Sequence, residues 1–133
     1  MSPDESFAGS PTHWLRYALS DLELACAKPS HVLLEMLCFH AQQAVEKAVK
    51  AVLLAQGVEF PKTHNLRVLF DLLAEQIDIP QEVVIASRLT EYAVSSRYPG
   101  EVEEVTEEEY QGAINLAREV VNWAKSIIDA PKG

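Results

Sequence analysis

The sequence predicts an all-α protein, folded as an up-and-down bundle of four to five helices. Its apolar segments repeat with a period of about 3.6 residues, and no segment alternates apolar and polar residues as a strand would. Proline, glycine and capping residues interrupt these segments at spacings that suit helices. With 133 residues, 48% of them hydrophobic and 23% charged, the chain has the size and composition of one ordinary globular domain.

The first helix is predicted to begin at Ser10-Pro11, because serine is a favoured N-cap and proline fits the first helical position. Pro29-Ser30 ends it. Its apolar residues recur at helical spacing: Trp14, Ala18, Leu22 and Ala25. This helix therefore presents one apolar face to the rest of the bundle.

The second helix is predicted from about Ser30 to Gln56, with Gly57 as a typical C-terminal stop. Its apolar stripe alternates steps of three and four residues and is rich in alanine: Leu34, Leu37, Ala41, Ala44, Ala48, Ala51 and Ala55, broadened by Val45, Val49 and Val52. Because alanine has little side-chain bulk, another helix can approach this stripe closely.

The opposite face of the second helix carries polar residues at the same spacing: His40, Gln43, Lys47 and Lys50, flanked by Gln42 and Glu46. This pattern fits two interpretations. The face is either an ordinary solvated surface of the helix or one wall of a polar groove, and the spacing alone leaves both open.

Three further helices follow. A turn at residues 60–63 precedes a third helix whose inward residues are Leu66, Leu69, Phe70 and Leu73. Ile79-Pro80 breaks the chain before a fourth helix, which contains Val83, Val84, Leu89 and Tyr92. After a loop at residues 95–100, Thr106 and Glu109 form a capping box for the last helix. The buried stripe of that helix is Tyr110, Ala113, Ile114, Ala117, Val120, Val121, Ala124, Ile127 and Ile128.

The charge distribution limits the kinds of partner that the protein is expected to bind. A net charge of −9 argues against broad, nonspecific nucleic-acid binding. The acids are concentrated between residues 101 and 109, whereas residues 40–100 carry six basic residues against seven acidic ones, which leaves room for a local anion site. No apolar run reaches the ~18 residues of a membrane span, and the N-terminus does not resemble a secretory signal, so we expect a cytoplasmic protein.

Sequence motifs for several kinds of chemistry are absent. Cys26 and Cys38 show no CxxC spacing and are predicted to be small buried hydrophobes rather than a disulfide. The four histidines lie on separate segments, so no metal site is predicted. The sequence contains no glycine-rich phosphate loop and no nucleophile elbow, and no cofactor is expected.

Unusual polar residues remain at the ends of the predicted helices. Lys62 and His64 precede the third helix, and Arg97 and Tyr98 follow the fourth, which places them at the same end of an up-and-down bundle. Arg97 could hold a phosphate bidentately, Lys62 could add positive charge and Tyr98 could stack on a base. The other interpretation is that these residues only cap the loops and that Arg97 forms an ion pair at the surface.

Three segments carry a resemblance to a known family. FHAQQAVEKAVKA at residues 39–51 resembles the signature helix of the prokaryotic HEPN family, which is named for nucleotide binding in higher eukaryotes and prokaryotes. PKTHNL at residues 61–66 and RYPG at residues 97–100 are similar to two further family segments. Positions in the first and last helices fit as well: Trp14, Ala18, Asp21, Leu22, Thr106, Tyr110, Ala113, Ala117 and Trp123. The resemblance covers about residues 12–128 and combines several motifs.

The resemblance implies a helical bundle that forms homodimers. Such proteins are often encoded beside a minimal nucleotidyltransferase, and some pairs act as toxin and antitoxin. Many relatives are metal-independent ribonucleases with an arginine, four to six intervening residues and a histidine. In those relatives the arginine stabilises phosphate charge and the histidine takes part in acid–base chemistry.

The chain departs from this ribonuclease motif. Arg97 matches the arginine, but the positions where the histidine belongs are occupied by Val102, Glu103 and Glu104. The tyrosine that some partner nucleotidyltransferases modify also has no counterpart. Because a glutamate repels RNA phosphate, we expect a protein that does not use the standard ribonuclease mechanism.

Our hypothesis is therefore a nucleotide-binding or interaction module with no catalytic residues of its own. It would act as a homodimer with a minimal nucleotidyltransferase partner, in a toxin–antitoxin-like system. Arg97, Lys62 and His64 would contact the phosphate of its nucleotide or RNA ligand, with Tyr98, His40, Gln43 and Lys47 lining the groove. Two alternatives stay open: a ribonuclease toxin with a displaced base, His64 or His40, and a purely structural adaptor. We expect a flexible N-terminus at 1–11, the domain at 12–128 and a tail at 129–133.

Overall fold

The computed structural model describes residues 9–92 and 104–130, which contain helices and no strand. The elements are α1 (Pro11–Ala27), α2 (Leu34–Ala55), α3 (Leu66–Ala74), α4 (Gln81–Val84), a 3₁₀ helix (Ile85–Tyr92) and α5 (Glu107–Ile128). The predicted all-α bundle is confirmed. None of the helices within the described ranges is long and apolar enough to cross a membrane.

The starts of α1 and α2 show where local sequence signals work and where they fail. Ser10 caps α1 as predicted, because its side chain accepts a hydrogen bond from the backbone N–H of His13 at 3.0 Å. The predicted start of the second helix at Ser30 is wrong. Val32 N–H donates to the Pro29 carbonyl at 3.1 Å, and this turn delays α2 until Leu33 takes the N-cap position.

Helix α2 lies at the centre of the bundle and packs against α1, α3, α5 and the 3₁₀ helix. Its alanine stripe is buried as predicted, with no accessible surface at Ala41, Ala44, Ala48 and Ala51. Ala55 was expected in this stripe but is exposed in the last turn of α2. Gly57 then ends the helix as predicted, with a φ of 73° that glycine adopts without strain.

Helices α1 and α2 run antiparallel. Trp14, near the start of α1, lies against Lys50, near the end of α2, whereas Asp21 on α1 bonds to His40 closer to the start of α2. This pairing brings the buried face of α1 onto the polar stripe of α2. The residues of the candidate site are therefore held between two long helices.

The predicted fourth helix is α-helical for only four residues and then tightens into the 3₁₀ helix. Its buried residues, Val83, Ala86 and Leu89, recur every third residue. A 3₁₀ helix places such residues on one face, because it has about three residues per turn. The hydroxyl of Thr90 accepts a hydrogen bond from the backbone N–H of Leu66 at 3.0 Å, which ties this segment to the start of α3.

Helix α5 begins with the predicted capping box, in which Thr106 and Glu109 exchange two hydrogen bonds of 3.0 Å. Glu107 also pairs with Lys28 at the end of α1. The buried hydroxyl of Tyr110 donates to the Ala25 carbonyl at 2.5 Å, and burial raises the pKa of Tyr110 above its ordinary value. The predicted stripe is buried as far as Ala124, but Ile127 and Ile128 are only half-buried near the helix end.

Candidate functional site

The first part of the site is a carboxylate between α1 and α2. Asp21 accepts a hydrogen bond from Lys47 Nζ at 2.6 Å and contacts His40 Nδ1 at 3.0 Å. Only 11% of the Asp21 side chain is exposed. Asp21 occupies the inward face of α1 between Ala18 and Ala25, so the antiparallel packing puts an acid directly opposite the polar stripe of α2.

The second part of the site is a carboxylate within α2. Glu46 accepts from Lys50 Nζ at 3.0 Å and from Gln42 Nε2 at 3.2 Å, and it contacts His64 Nδ1 at 2.9 Å. The exposed fraction is 4% for the Glu46 side chain and 9% for that of Lys50. Since Gln42, Glu46 and Lys50 are each four residues apart, one turn of helix separates each from the next and the three side chains meet.

Gln42 connects this second carboxylate to the chain around it. It is fully buried, and its Nε2 atom donates both to Glu46 and to the backbone carbonyl of His64, each at 3.2 Å. Its Oε1 atom accepts from Gln43 Nε2 at 2.7 Å. The loop before α3 is therefore fastened to the middle of α2 at two points, the carbonyl and the ring of His64.

Aromatic rings cover the two lysines of α2. Lys50 Nζ lies 5.6 Å from the centroid of the Trp14 ring and 5.5 Å from that of Phe60. Lys47 Nζ lies 5.9 Å from the centroid of the Tyr17 ring. Such contacts stabilise a cation that has lost part of its hydration. Together with the two buried carboxylates, the rings make the lysines of this stripe part of an ion network inside the bundle.

This arrangement excludes one of the two interpretations of the polar stripe. The interpretation as a solvated face is wrong, because Lys47 and Lys50 are largely covered and both are neutralised by buried acids. His40 is also held, with 32% of its side chain exposed. The role of His40, Gln43 and Lys47 in lining a ligand groove stays a prediction, and their charges are already compensated within the protein.

The end of the bundle near α3 presents different chemistry. The His64 side chain is 67% exposed, and its Nε2 atom forms no hydrogen bond with any residue that the structure describes. Lys62 is exposed two residues earlier and forms no ion pair within residues 9–92 and 104–130. Arg97 and Tyr98 lie outside the described residues.

Four residues of the network were not predicted as site residues: Asp21, Gln42, Glu46 and Lys50. A signal for them exists in the sequence, because Asp21 lies on the inward face of α1 and Glu46 lies four residues before a lysine. Within the described ranges, no three His, Cys, Asp or Glu side chains come together in a way that could hold a metal ion. The site can therefore offer a lysine cation, a histidine ring and buried carboxylates behind it.

Comparisons with known proteins agree with this fold. A family model for the HEPN domain matches residues 12–127. An archaeal HEPN homologue of known structure, ST0689, is 31% identical with a TM-score of 0.70, over 90% of this chain and 98% of that chain. TT1696 from Thermus thermophilus is 29% identical with a TM-score of 0.71, over 87% of this chain and 96% of that chain. No curated protein shows significant similarity. Because the family model spans most of its length, the chain belongs to the HEPN domain family.

Proposed function

We propose that this HEPN protein is a nucleotide-binding interaction module, which acts as a homodimer with a minimal nucleotidyltransferase partner in a toxin–antitoxin-like system. Nucleotide binding is proposed from two exposed residues at one end of the bundle. They are Lys62 and His64, and Glu46 holds the ring of His64. The partner and the homodimer follow from what is common in the HEPN family.

The internal ion pairs limit which residues can attract a phosphate. Lys47 and His40 already contact Asp21, and Lys50 is paired with Glu46. Lys62 has no such partner among the described residues, so it would supply charge to the phosphate together with Arg97. His40, Gln43, Lys47 and Tyr98 would contribute to the walls of the groove.

Replacing Lys62 by alanine is expected to weaken nucleotide binding about tenfold at low salt, the size of effect expected from one lost charge-assisted hydrogen bond. Isothermal titration calorimetry with AMP, ATP and a short single-stranded RNA would measure it. Lys125→Ala is the matched control, because it removes the same charge from an exposed position on α5.

Two outcomes would contradict the proposal of a non-catalytic nucleotide-binding module. One is the absence of binding to any of these probes at millimolar concentration. The other is cleavage of the RNA that is lost in His64→Ala, which would support the ribonuclease alternative.

Exposed apolar side chains support the assembly part of the proposal. Six of the seven large hydrophobic residues that are exposed in the described ranges lie on α1, on the following turn or at the start of α2: Tyr17, Leu19, Leu24, Val32, Leu33 and Met36. Concentrations of apolar surface of this kind often mark protein interfaces.

Light scattering at micromolar concentration is expected to give twice the chain mass of 14.8 kDa, and the protein is expected to co-elute with a co-expressed minimal nucleotidyltransferase encoded beside it. Leu24→Glu should weaken one of these associations, because it places a charge in an apolar contact. Val68→Glu is the control, since Val68 is exposed on α3, outside these three segments. A monomeric mass together with no co-elution would refute the proposal.

A further inference from the structure

We infer that Glu46 is a positioning residue that holds the His64 ring with Nε2 facing solvent as a hydrogen-bond acceptor, so that the site recognises a sugar hydroxyl of its nucleotide beside the phosphate. The inference rests on the proposed nucleotide binding. It adds a ligand group to the site and assigns a role to a buried residue that cannot touch the ligand itself.

The first step concerns the proton on His64 Nδ1. Glu46 forms an ion pair with Lys50, so its carboxylate has only acceptor oxygens. The distance of 2.9 Å between His64 Nδ1 and Glu46 Oε1 is a hydrogen bond, and the only group that can donate in it is the ring N–H. The proton of the neutral imidazole is therefore on Nδ1.

The second step concerns the opposite ring nitrogen. A neutral imidazole with its proton on Nδ1 carries a lone pair on Nε2. That atom has no partner among the described residues, and 67% of the side chain is exposed. The ring cannot easily turn away, because Gln42 holds both the carbonyl of His64 and the carboxylate of Glu46. In the neutral ring, Nε2 is thus a fixed acceptor at the surface.

The third step concerns the ligand. An ionised phosphate offers mainly acceptor oxygens, and two acceptors do not form a hydrogen bond with each other. Lys62 is the group that suits the phosphate, since it offers three donors and a positive charge. A sugar hydroxyl can donate to His64 Nε2 from the same nucleotide. We therefore expect the site to favour nucleotides with ribose hydroxyls over analogues without them.

Long-range proton–nitrogen NMR correlations of the imidazole rings test the role of Glu46 without any ligand. In the wild type at a pH where the ring is neutral, His64 is expected to show its proton on Nδ1. The double variant Glu46→Leu, Lys50→Met removes the acceptor without leaving a buried charge, and the Nδ1–H form should be lost. Glu46→Gln with Lys50→Met should restore it, because glutamine also has an acceptor oxygen.

His40 is the internal control, because Asp21 holds its Nδ1 atom at 3.0 Å in the same way. Its NMR pattern should not change in either double variant. A wild-type His64 with its proton on Nε2, or a pattern that the double variant Glu46→Leu, Lys50→Met leaves unchanged, would overturn the role of Glu46 whether or not a nucleotide binds.

Calorimetry with AMP and with its analogue that lacks both ribose hydroxyls tests the ligand part. AMP is expected to bind the wild type about tenfold more tightly than the analogue, because the analogue cannot form the hydrogen bond from a hydroxyl. This ratio should approach one in His64→Phe, a substitution at an exposed side chain. Equal affinities in the wild type would overturn the hydroxyl contact alone. No binding of either compound at millimolar concentration would overturn the proposed function and the hydroxyl contact with it.

Discussion

Replacing Glu46 by alanine is expected to lower the free energy of unfolding by about 3–5 kcal/mol, the usual effect of removing one partner from a buried ion pair. The Lys50 side chain is only 9% exposed and would be left buried without the carboxylate that neutralises it. Gln42 and His64 would lose their acceptor as well. Urea denaturation at neutral pH, followed by circular dichroism and by tryptophan fluorescence, would measure the change.

Two further variants test whether this loss of stability comes from the buried lysine that is left without its partner. Glu108→Ala removes an exposed acid from the first turn of α5 and should lower the stability by less than about 1 kcal/mol, the usual contribution of an acid at that end of a helix. Adding Lys50→Met to Glu46→Ala should recover much of the loss, because no isolated charge remains buried. A loss for Glu46→Ala as small as that of Glu108→Ala would show that Lys50 reaches water by itself.

Replacing Ala48 by leucine is expected to lower the free energy of unfolding by about 1–3 kcal/mol, because the added methyl and methylene groups must displace packed neighbours. Ala48 has no accessible surface and lies in the alanine stripe of α2, where α2 is surrounded by the other helices. Thermal or urea unfolding with a single cooperative transition would give the magnitude.

Ala55→Leu is the matched control for this substitution. Ala55 belongs to the same apolar stripe in the sequence, but it is exposed in the last turn of α2. The leucine there has room, so the stability should stay within about 0.5 kcal/mol of the wild type. Equal losses for the two variants would mean that the end of α2 is covered, for example in an oligomer.

The predictions for the fold were accurate wherever local chemistry determines the structure. Ser10 and Thr106 cap their helices because their side chains reach N–H groups only a few residues away. The start of α2 was missed because serine is a favoured N-cap residue, and Ser30 was therefore expected to begin the helix. Instead, the backbone forms a turn after Pro29, and the helix begins later. The 3₁₀ helix was also missed, since buried residues at every third position fit one face of an α-helix over so short a segment.

The predictions for the site were limited by a different cause. A polar stripe at helical spacing looks the same whether it faces water or a buried acid. The acid that decides the matter, Asp21, lies 19 residues from His40 and 26 residues from Lys47 along the chain. Only the packing of α1 on α2 brings these residues together. Lys62 and His64 were predicted from their place at a helix start, and the function of that end stays a prediction.

The internal network also determines where the charge of the molecule is displayed. Asp21 and Glu46 are compensated by Lys47 and Lys50, so the net charge of −9 is carried entirely by other residues, most of them at the surface. A nucleotide therefore diffuses toward a molecule of its own sign. Physiological salt, which screens charges over about 8 Å, reduces this long-range repulsion while leaving the covered ion pairs largely untouched. Added salt should thus favour the encounter step, in contrast to proteins that capture nucleic acids with a basic surface.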